Sequence, residues 1–335
     1  MANVLVTGGA GYVGSVCSAE LLKQGHAVTV IDDLSTGIRD AVPPGAAFAK
    51  LDIGDAAGVY ALALQKHFDA VFHFAAKALI PESVTNPGVF FQRNVASGIT
   101  MLEALRAAGV KNLVFSSSAA VYGIAGSSPV DEDAPKAPLN SYGESKLMFE
   151  RVLRWYAEAY GWTVFAFRYF SAAGATAEHG ERHEPETHLI PLVLEAAAGE
   201  RECFNIYGDD YQTPDGTCLR DFVHVLDIAK AHILALKRMG EPGMRCYNIG
   251  TGRSYSVREI VSEAERITGR KINARVAPRR TGDPAILCAS PRRIIEELGW
   301  TPEHSSLDEI MQSAWRWKQK QLQPAVPAAA HSVNP

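Results

Sequence analysis

The chain has 335 residues, of which 47% are hydrophobic and 21% are charged, and its formal net charge is −4. This composition is typical of a globular protein with one large or two ordinary domains, and the lack of a basic excess argues against a nucleic-acid partner. No apolar run reaches the ~18 residues of a membrane span, and the sequence enters a predicted strand at once, so we expect neither membrane association nor a signal peptide.

A glycine-rich turn joins the first predicted strand, 3–7, to the first predicted helix, 11–24. Its glycines are Gly8, Gly11 and Gly14, in the spacing G-x-x-G-x-x-G. The first permits a tight turn, the second lets the backbone approach a pyrophosphate, and the third lets the helix pack on the sheet. Free N–H groups at the helix N-terminus favour phosphate anions. The pattern predicts a dinucleotide site, with an ordinary strand-to-helix turn as the alternative.

The next two predicted strands, 27–31 and 47–51, are each followed by an acidic residue, Asp32 and Asp52. A carboxylate about 20 residues beyond the glycines can accept a hydrogen bond from the adenosine ribose 2′-OH. Because Asp32 would also repel a 2′-phosphate, we expect NAD rather than NADP. The alternative is a loop acid that caps a turn. Asp52 could accept from the adenine amino group.

Strand-like and helical patterns continue to alternate through about residue 170. Further strands are predicted at 70–74, 112–116 and 163–168, and helices at 56–67, 88–108 and 142–160. Continuous apolar strands between helices indicate a parallel sheet with both faces covered. We therefore expect an α/β fold of the Rossmann type, a doubly wound parallel sheet that binds its ligands beyond the carboxyl ends of the strands.

Tyr142 and Lys146 lie at the start of the predicted helix 142–160 and share one face, because they are four residues apart. We expect the lysine charge to lower the pKa of the phenol toward neutrality, where it can act as general base and acid. Ser118, which follows the strand 112–116, could relay the proton. The alternatives are an incidental surface pair and serines that cap a turn.

Beyond residue 170 the alternation weakens, and we predict polar loops at 171–188 and 207–221. Helices are predicted at 189–199, 225–238, 256–268, 290–298 and 306–321, and strands at 246–249, as a return to the first sheet, and at 272–276. The five cysteines are scattered without metal-ligand spacing, so we expect reduced thiols in a cytoplasmic protein and no bound metal.

These patterns predict a dinucleotide-binding domain at 1–170, with a return at about 222–252. They also predict a smaller, discontinuous α/β substrate domain at 171–323. The Pro- and Ala-rich tail, 324–335, is expected to be disordered.

The segments 7–14, 115–123 and 141–146, together with Asp32, resemble the extended short-chain dehydrogenase/reductase family. More narrowly, the chain is similar to members of that family that epimerise UDP-sugars. The additional matching segments are 73–76, 81–83, 168–170, 187–191, 208–225 and 247–252. The resemblance runs from about residue 3 to about residue 320, and the loop that ends in Arg220 and Asp221 is its most specific part.

By position, the resemblance implies three groups of site residues. The catalytic residues are Tyr142, Lys146 and Ser118. The NAD-binding residues are Gly8, Gly11, Tyr12, Val13, Gly14, Asp32, Asp52, Ile53, Phe74, Ala75, Ala76, Asn94, Ser116, Lys146 and Tyr169. The UDP-sugar-binding residues are Ser118, Tyr142, Ser171, His188, Leu189, Tyr207, Arg220, Arg280 and Asp283. Guanidinium groups fit phosphate oxygens, so the two arginines are expected to clamp the diphosphate.

Four positions depart from the family pattern, and one of them is Asp33, which stands where an asparagine is frequent. Ala78 stands where a lysine is common, with Lys77 one residue early, and Ser171 stands where an asparagine is common. Ile286 aligns with a position near the hexose that governs whether a 2-acetamido group fits, so acceptance of N-acetylated sugars stays open.

The resemblance implies an NAD-dependent isomerase of carbohydrate metabolism that interconverts UDP-galactose and UDP-glucose through a transient 4-keto sugar. Ionised Tyr142, helped by Ser118, would take the proton of the sugar 4-hydroxyl, while tightly bound NAD accepts and returns the C4 hydride. Two alternatives stay open. One is a 4-epimerase of UDP-N-acetylglucosamine, UDP-pentoses or UDP-uronates, and the other is a non-catalytic NAD-sensing module. The helices 88–108 and 142–160 resemble a pair that forms a dimer interface in this family, so we expect a homodimer.

Overall fold

A seven-stranded parallel sheet forms the centre of the computed structural model, which describes residues 1–125, 128–280 and 282–323. Its strands, numbered in chain order, are β1 (Asn3–Thr7), β2 (Ala27–Asp32), β3 (Ala47–Lys50), β4 (Ala70–His73), β5 (Asn112–Ser118), β6 (Thr163–Tyr169) and β10 (Gly243–Ile249). They lie side by side in the order β10-β6-β5-β4-β1-β2-β3. Connections therefore leave β1 in both directions, which opens a crevice between β1 and β4 at the carboxyl edge. The α/β fold predicted from the sequence is confirmed.

Helices cover both faces of this sheet. They are α1 (Tyr12–Lys23), α2 (Ala56–Lys66), α3 (Ile80–Thr85), α4 (Pro87–Phe91), α5 (Ser97–Ala107), α6 (Ser141–Tyr160) and α8 (Val225–Leu236). Val4 and Val6 are buried on the face that also contains apolar residues of α1 and α8, whereas Leu5 is buried on the face of α2, α5 and α6. The strands are apolar at successive positions because both of their faces are buried.

The predicted helix 88–108 is divided into three parts. α4 and α5 are joined by a π-helical turn, Gln92–Ala96. Such turns insert one extra residue per turn and often occur beside functional sites. Here the insertion turns Asn94 inward, toward the segment that follows β4.

The second half of the chain forms smaller sheets and a separate core. Its remaining helices are α7 (Leu189–Ala198), α9 (Val257–Thr268), α10 (Arg292–Leu298) and α11 (Leu307–Leu322). Its strands are β7 (Ser171–Ala173), β8 (Phe204–Tyr207), β9 (Leu219–His224), β11 (Ser254–Ser256), β12 (Ala274–Ala277) and β13 (Ile286–Leu287). β11, β9 and β13 form one sheet with β7 at β9, and β12 pairs with β8. α7, α9 and α11 contribute to the apolar core of this region.

Two predicted loops are partly wrong, because 171–188 contains β7 and the end of 207–221 forms the start of β9. β8, β11 and β13 were also not predicted, since strands of two to four residues are too short to show a period. The predicted tail, 324–335, lies outside the described residues, and the domain boundaries stay a prediction. Among the helices of the described ranges, we find none with the length and apolar character that a membrane crossing requires.

Candidate active site

A cavity of about 910 Å³ lies at the carboxyl edge of the central sheet. Its walls include residues that follow each of β1 to β6, and residues of the second half of the chain such as Arg220 on β9. Every predicted site residue except Asn94 lines this cavity. The tertiary structure therefore brings the predicted cofactor, catalytic and substrate residues together in one space.

The glycine turn after β1 has no room for side chains. Gly8 has a φ of +71°, and a Cβ there would lie 2.5 Å from the backbone nitrogen of Ala75. A Cβ on Gly14 would lie 2.4 Å from the carbonyl oxygen of Gly8. Since the first N–H groups of an α-helix have no partner within the helix, the start of α1 offers backbone donors to an anion in the cavity.

Two carboxylates at the ends of β2 and β3 line the same part of the cavity. Asp32 accepts hydrogen bonds from the N–H groups of Ala10, at 3.0 Å, and Leu34, at 2.9 Å. Burial raises the pKa of Asp32, and these two hydrogen bonds offset part of the increase. The aspartate is thus fixed against the glycine turn, with its side chain at the cavity wall.

Asp52 has a charged partner that the sequence analysis missed. Burial acts to raise its pKa, but hydrogen bonds from Gly54 and Arg93 outweigh it and lower the pKa of Asp52. Arg93 Nη1 lies 2.5 Å from Asp52 Oδ2 and 4.0 Å from Asp33 Oδ2. Arg93 is 41 residues away in sequence and lies in the π-helical turn, so no local pattern indicated the contact.

Asn94 is buried and does not line the cavity. Its side-chain oxygen accepts a hydrogen bond from the Lys77 N–H at 2.8 Å, and its amide donates to the Lys77 carbonyl at 2.9 Å. The amide also lies 2.9 Å from Ser145 Oγ on α6. Asn94 therefore joins the segment after β4, which includes the cavity residues Ala75 and Ala76, to α6.

Tyr142 lies in the first turn of α6, with Ser118 beside its phenol. Burial raises the pKa of Tyr142 above its usual value, and the polar contact with Ser118 offsets only part of this increase. The expectation that Lys146 lowers this pKa is wrong for the protein without ligands. The lysine Nζ lies 5.8 Å from the centroid of the Tyr142 ring and donates instead to the Ser116 carbonyl, at 2.7 Å.

Lys146 is 3% exposed, and its ammonium group lies among aromatic side chains and backbone. Burial lowers the pKa of Lys146 from 10.5 to about 7, although the charge of Glu150 acts in the opposite direction.

Ser118 also accepts from the Ala120 N–H at 3.1 Å, so it caps a turn and faces Tyr142 at once. The turn-capping interpretation of this serine is confirmed, and its role as a proton relay stays a prediction.

A buried ion pair that the sequence did not reveal lies beside the end of β5, the strand that contains Ser116 and Ser118. Glu150 lies one turn after Lys146 on α6, and its Oε2 is 2.7 Å from Arg168 Nη2 on β6. Its Oε1 accepts from the Ser117 hydroxyl at 2.6 Å. Both charged side chains are at most 5% exposed. This pair therefore fixes the end of β5 to α6, where Ser116 and Ser118 face the cavity.

Two further cavity residues of the predicted cofactor group have fixed hydroxyls. Tyr12 donates to the carbonyl of Gly174 at 2.5 Å, which joins the start of α1 to the segment after β7. Tyr169 lies 2.9 Å from Nε2 of His232 on α8. His232 was not predicted, because nothing in its local sequence distinguishes it from the other buried positions of α8.

The predicted substrate residues of the second half are paired with one another. The Arg220 guanidinium forms an ion pair with Asp283 and donates to the Leu219 carbonyl at 2.7 Å. The Arg280 guanidinium lies 3.9 Å from the centroid of the Tyr207 ring, a stacked cation–π arrangement. These contacts fix two guanidinium groups at the wall of the cavity before any ligand is bound.

Most of the departures from the family pattern lie at this cavity. Lys77, Ala78 and Ser171 line it, but Ile286 does not. Leu287, the next residue of β13, takes that place. Successive side chains of a strand point to opposite faces, so Leu287 rather than Ile286 faces the cavity.

His188 belongs to a group of four side chains that also contains Glu181, His183 and Glu186. Its Nδ1 lies 2.8 Å from Glu181 Oε1 and 2.9 Å from Glu186 Oε1. Burial alone would lower the pKa of His188, but the hydrogen bonds to these glutamates outweigh burial and raise it to about 10. Only His188 was predicted, although the other three also line the cavity.

The chain matches the model of the NAD dependent epimerase/dehydratase family over residues 4–250. It is 49% identical to the UDP-glucose 4-epimerase of Corynebacterium glutamicum over 313 residues, 93% of this chain and 94% of that protein.

Two solved structures are similar to the whole fold. The UDP-glucose 4-epimerase of Brucella ovis in complex with NAD matches with a TM-score of 0.91 and 44% identity, over 94% of this chain and 98% of that one. The enzyme of Bifidobacterium longum in complex with NAD+ and UDP matches with a TM-score of 0.90 and 34% identity, over 95% and 98%.

Proposed function

The chain belongs to the NAD dependent epimerase/dehydratase family, and from this membership and the site geometry we infer that it has UDP-glucose 4-epimerase activity. It interconverts UDP-galactose and UDP-glucose by inverting the configuration at C4 of the sugar. The observation that carries this conclusion is that one cavity is lined both by the glycine turn of a dinucleotide site and by a second set of cationic groups, Arg220 and Arg280. An enzyme that holds a dinucleotide and a nucleotide sugar together needs both.

The residues present fit NAD. The turn at Gly8 and Gly14 leaves no space for a Cβ, so backbone N–H groups reach the cavity unobstructed. Asp32 suits a ribose with free hydroxyls, since its carboxylate would repel a 2′-phosphate. When bound, NAD supplies the hydride acceptor that oxidation of a sugar carbon requires.

Tyr142 and Ser118 are the groups that move the proton of the sugar 4-hydroxyl. Both line the cavity, with Ser118 beside the phenol of Tyr142. Burial opposes ionisation of Tyr142, whereas Lys146, whose pKa is lowered to about 7, is divided between its charged and neutral forms near neutral pH. Anionic phosphates in the cavity favour the charged lysine, and a charged lysine favours the phenolate. We infer that ligand binding shifts Tyr142 toward the phenolate, the form that acts as the base.

Arg220 and Arg280 hold the diphosphate of the sugar nucleotide. Guanidinium groups contact phosphate oxygens through two parallel hydrogen bonds, and both side chains already lie at the cavity wall. Asp283, the partner of Arg220, is placed for the uridine ribose. Anchoring through the nucleotide leaves the sugar free to present either face to the same Tyr142.

Conversion of UDP-galactose without an added oxidant tests the activity. Purified full-length protein should produce UDP-glucose with no net change in redox state. Tyr142→Phe should lower the turnover number by ~10²–10⁴-fold, because it removes the proton acceptor. Tyr60→Phe is the matched control, since Tyr60 is an exposed residue of α2 outside the cavity. Unchanged turnover of Tyr142→Phe would refute the proposed base, and no conversion by the wild type would refute the activity.

We propose that Leu287, rather than Ile286, limits the size of the accepted sugar. Leu287 lines the cavity and Ile286 does not. Leu287→Ala should raise kcat/KM for UDP-N-acetylgalactosamine relative to UDP-galactose by ~10-fold or more, as expected for removing a few methylene groups from a pocket. Ile286→Ala should leave this ratio unchanged. An equal effect of both variants would show that the cavity wall at Leu287 does not select between the two sugars.

We also propose a homodimer formed through α5 and α6. Exposed apolar side chains on these helices support it, among them Ile99, Met148 and Trp155, of which Trp155 is 67% exposed. The mass of the native protein in solution should be twice that of the chain, and Trp155→Glu should shift it toward the monomer. A monomeric wild type would contradict this proposal.

A cytoplasmic location is the remaining proposal. It is supported by the five cysteines, none of which forms a disulfide. Cell fractionation followed by immunodetection would test it, and recovery of the protein in an oxidising compartment would contradict it.

A further inference from the structure

Four side chains between β7 and α7 form a compact group that the proposed activity does not use as a unit. We call Glu181, His183, Glu186 and His188 the Glu–His cluster. Each offers one atom of a type that ligates metals, and these four atoms all lie within 4.8 Å of one another. Glu181 Oε1 is central, at 2.7 Å from His183 Nδ1 and 2.8 Å from His188 Nδ1.

The two carboxylates of the Glu–His cluster are largely buried and lack a cationic partner other than these histidines. The side chains of Glu181 and Glu186 are 9% and 7% exposed. Among the described residues, neither glutamate has an ion pair with a lysine or arginine. The nearby cations Arg201 and Lys318 are paired with Glu195 and Glu200 instead. Buried charges are normally paired or coordinate a metal, and a divalent cation bound among these four side chains would neutralise both carboxylates in place of the histidine charge.

The donor set indicates the class of cation. Two imidazole nitrogens with two carboxylate oxygens suit Zn²⁺ and related transition metals, whereas Mg²⁺ and Ca²⁺ prefer oxygen ligands alone. Ligands at ~2.0–2.1 Å from a tetrahedral ion lie about 3.3 Å from one another. The nitrogen–oxygen distances of 2.7–2.9 Å in the cluster are close to that value, so small side-chain movements open the site to an ion.

The Glu–His cluster also has its own access to solvent. Glu181, His183 and Glu186 line both the central cavity and a second cavity of about 460 Å³, which reaches Trp317 and Gln321 on α11. An ion could therefore enter while cofactor and substrate occupy the central cavity. Four protein ligands are typical of structural rather than catalytic metal sites.

We propose that the Glu–His cluster binds one divalent transition-metal ion of the Zn²⁺ class. The ion ties the segment 181–188 to the start of α7 and thereby fixes the wall of the central cavity at His188 and Leu189. This proposal does not depend on the proposed epimerase activity, because its test measures bound metal. The alternative is that hydrogen bonds between the two histidines and the glutamates hold the cluster together without a metal.

The experiment measures metal on full-length protein purified without a polyhistidine tag, which would itself bind metal. Elemental analysis should find about one transition-metal ion per chain. After removal by a chelator, titration with Co²⁺ should give a saturable visible absorption of one ion per chain, and Zn²⁺ should displace it. Wild-type protein that holds no metal and shows no saturable Co²⁺ absorption would overturn the proposal, whatever the variants do.

Variants locate the ion. His183→Ala and Glu181→Gln should each weaken Co²⁺ binding by at least ~10–100-fold, the loss found when even an outer partner of a metal ligand is removed. His304→Ala is the matched control, because His304 lies outside the Glu–His cluster and its Nδ1 is 2.6 Å from Oε1 of Glu309 on α11. Circular dichroism reports whether each variant is folded. Binding that persists in both cluster variants would place the ion elsewhere and also overturn the proposal.

Discussion

Replacing Lys146 by methionine should abolish activity and yet stabilise the protein below neutral pH. Lys146 is 3% exposed, and burial lowers its pKa from 10.5 to about 7. This difference corresponds to about 5 kcal/mol. Since the unfolded chain binds the proton more tightly than the native state, stability rises with pH between 7 and 10.5. The cost of burying the charge is therefore fully present below pH 7 and is lost as pH rises toward 10.5.

Methionine is similar in length and carries no charge, so Lys146→Met removes this cost. It also leaves the Ser116 carbonyl without its donor at 2.7 Å, which costs about 1–3 kcal/mol at every pH. The pH dependence is therefore the diagnostic quantity. At pH 6 the unfolding free energy of the variant should exceed that of the wild type by about 5 kcal/mol minus this constant loss. At pH 9.5 the gain in unfolding free energy should be only about 1 kcal/mol, from which the same constant loss is again subtracted.

Reversible urea unfolding at pH 6 and pH 9.5, on protein freed of bound nucleotides, measures both differences. Lys23→Met is the matched control, because Lys23 is a 62% exposed lysine of α1 and its replacement should give the same difference at both pH values. If Lys146→Met differs from the wild type by equal amounts at pH 6 and pH 9.5, the lysine charge is not buried at a cost, and the argument fails.

The remaining predictions concern the ion pair and the glycine turn. Glu150→Gln leaves the Arg168 charge buried without its partner at 2.7 Å, so we expect a loss of about 3–5 kcal/mol in unfolding free energy, measured by chemical denaturation. A loss below 1 kcal/mol would show that solvent reaches the arginine. Gly14→Ala places a Cβ 2.4 Å from the Gly8 carbonyl and should weaken NAD binding at least ~10-fold, measured by fluorescence titration. The control is Gly88→Ala, where a Cβ meets nothing within 4 Å, and this variant should bind NAD normally. Equal NAD affinities of the two variants would contradict the requirement for glycine at position 14.

Features set by neighbours in sequence were predictable. The strands of the central sheet were located because residues such as Val4 and Leu5 are apolar at successive positions, as expected of a strand that is buried on both faces. The turn at Gly8, Gly11 and Gly14 was located by its glycine spacing, which the structure explains at Gly8 by a positive φ and at Gly14 by a close contact with a carbonyl oxygen. Since carboxyl ends of parallel strands share one edge, the approximate position of the site followed from these local signals.

Features set by packing between distant segments were not predictable. The partners of Asp52 and Glu150 lie 41 and 18 residues away in sequence, and β13 is defined by its pairing with β9. The pKa of Tyr142 is the clearest case. Its spacing from Lys146 suggested a charge effect, but the fold desolvates the phenol, buries the lysine and directs the lysine to a carbonyl. The sequence alone determined which groups could react, because helix and strand periods are local properties. Only the tertiary structure decided their protonation, because desolvation depends on everything that packs around a charge.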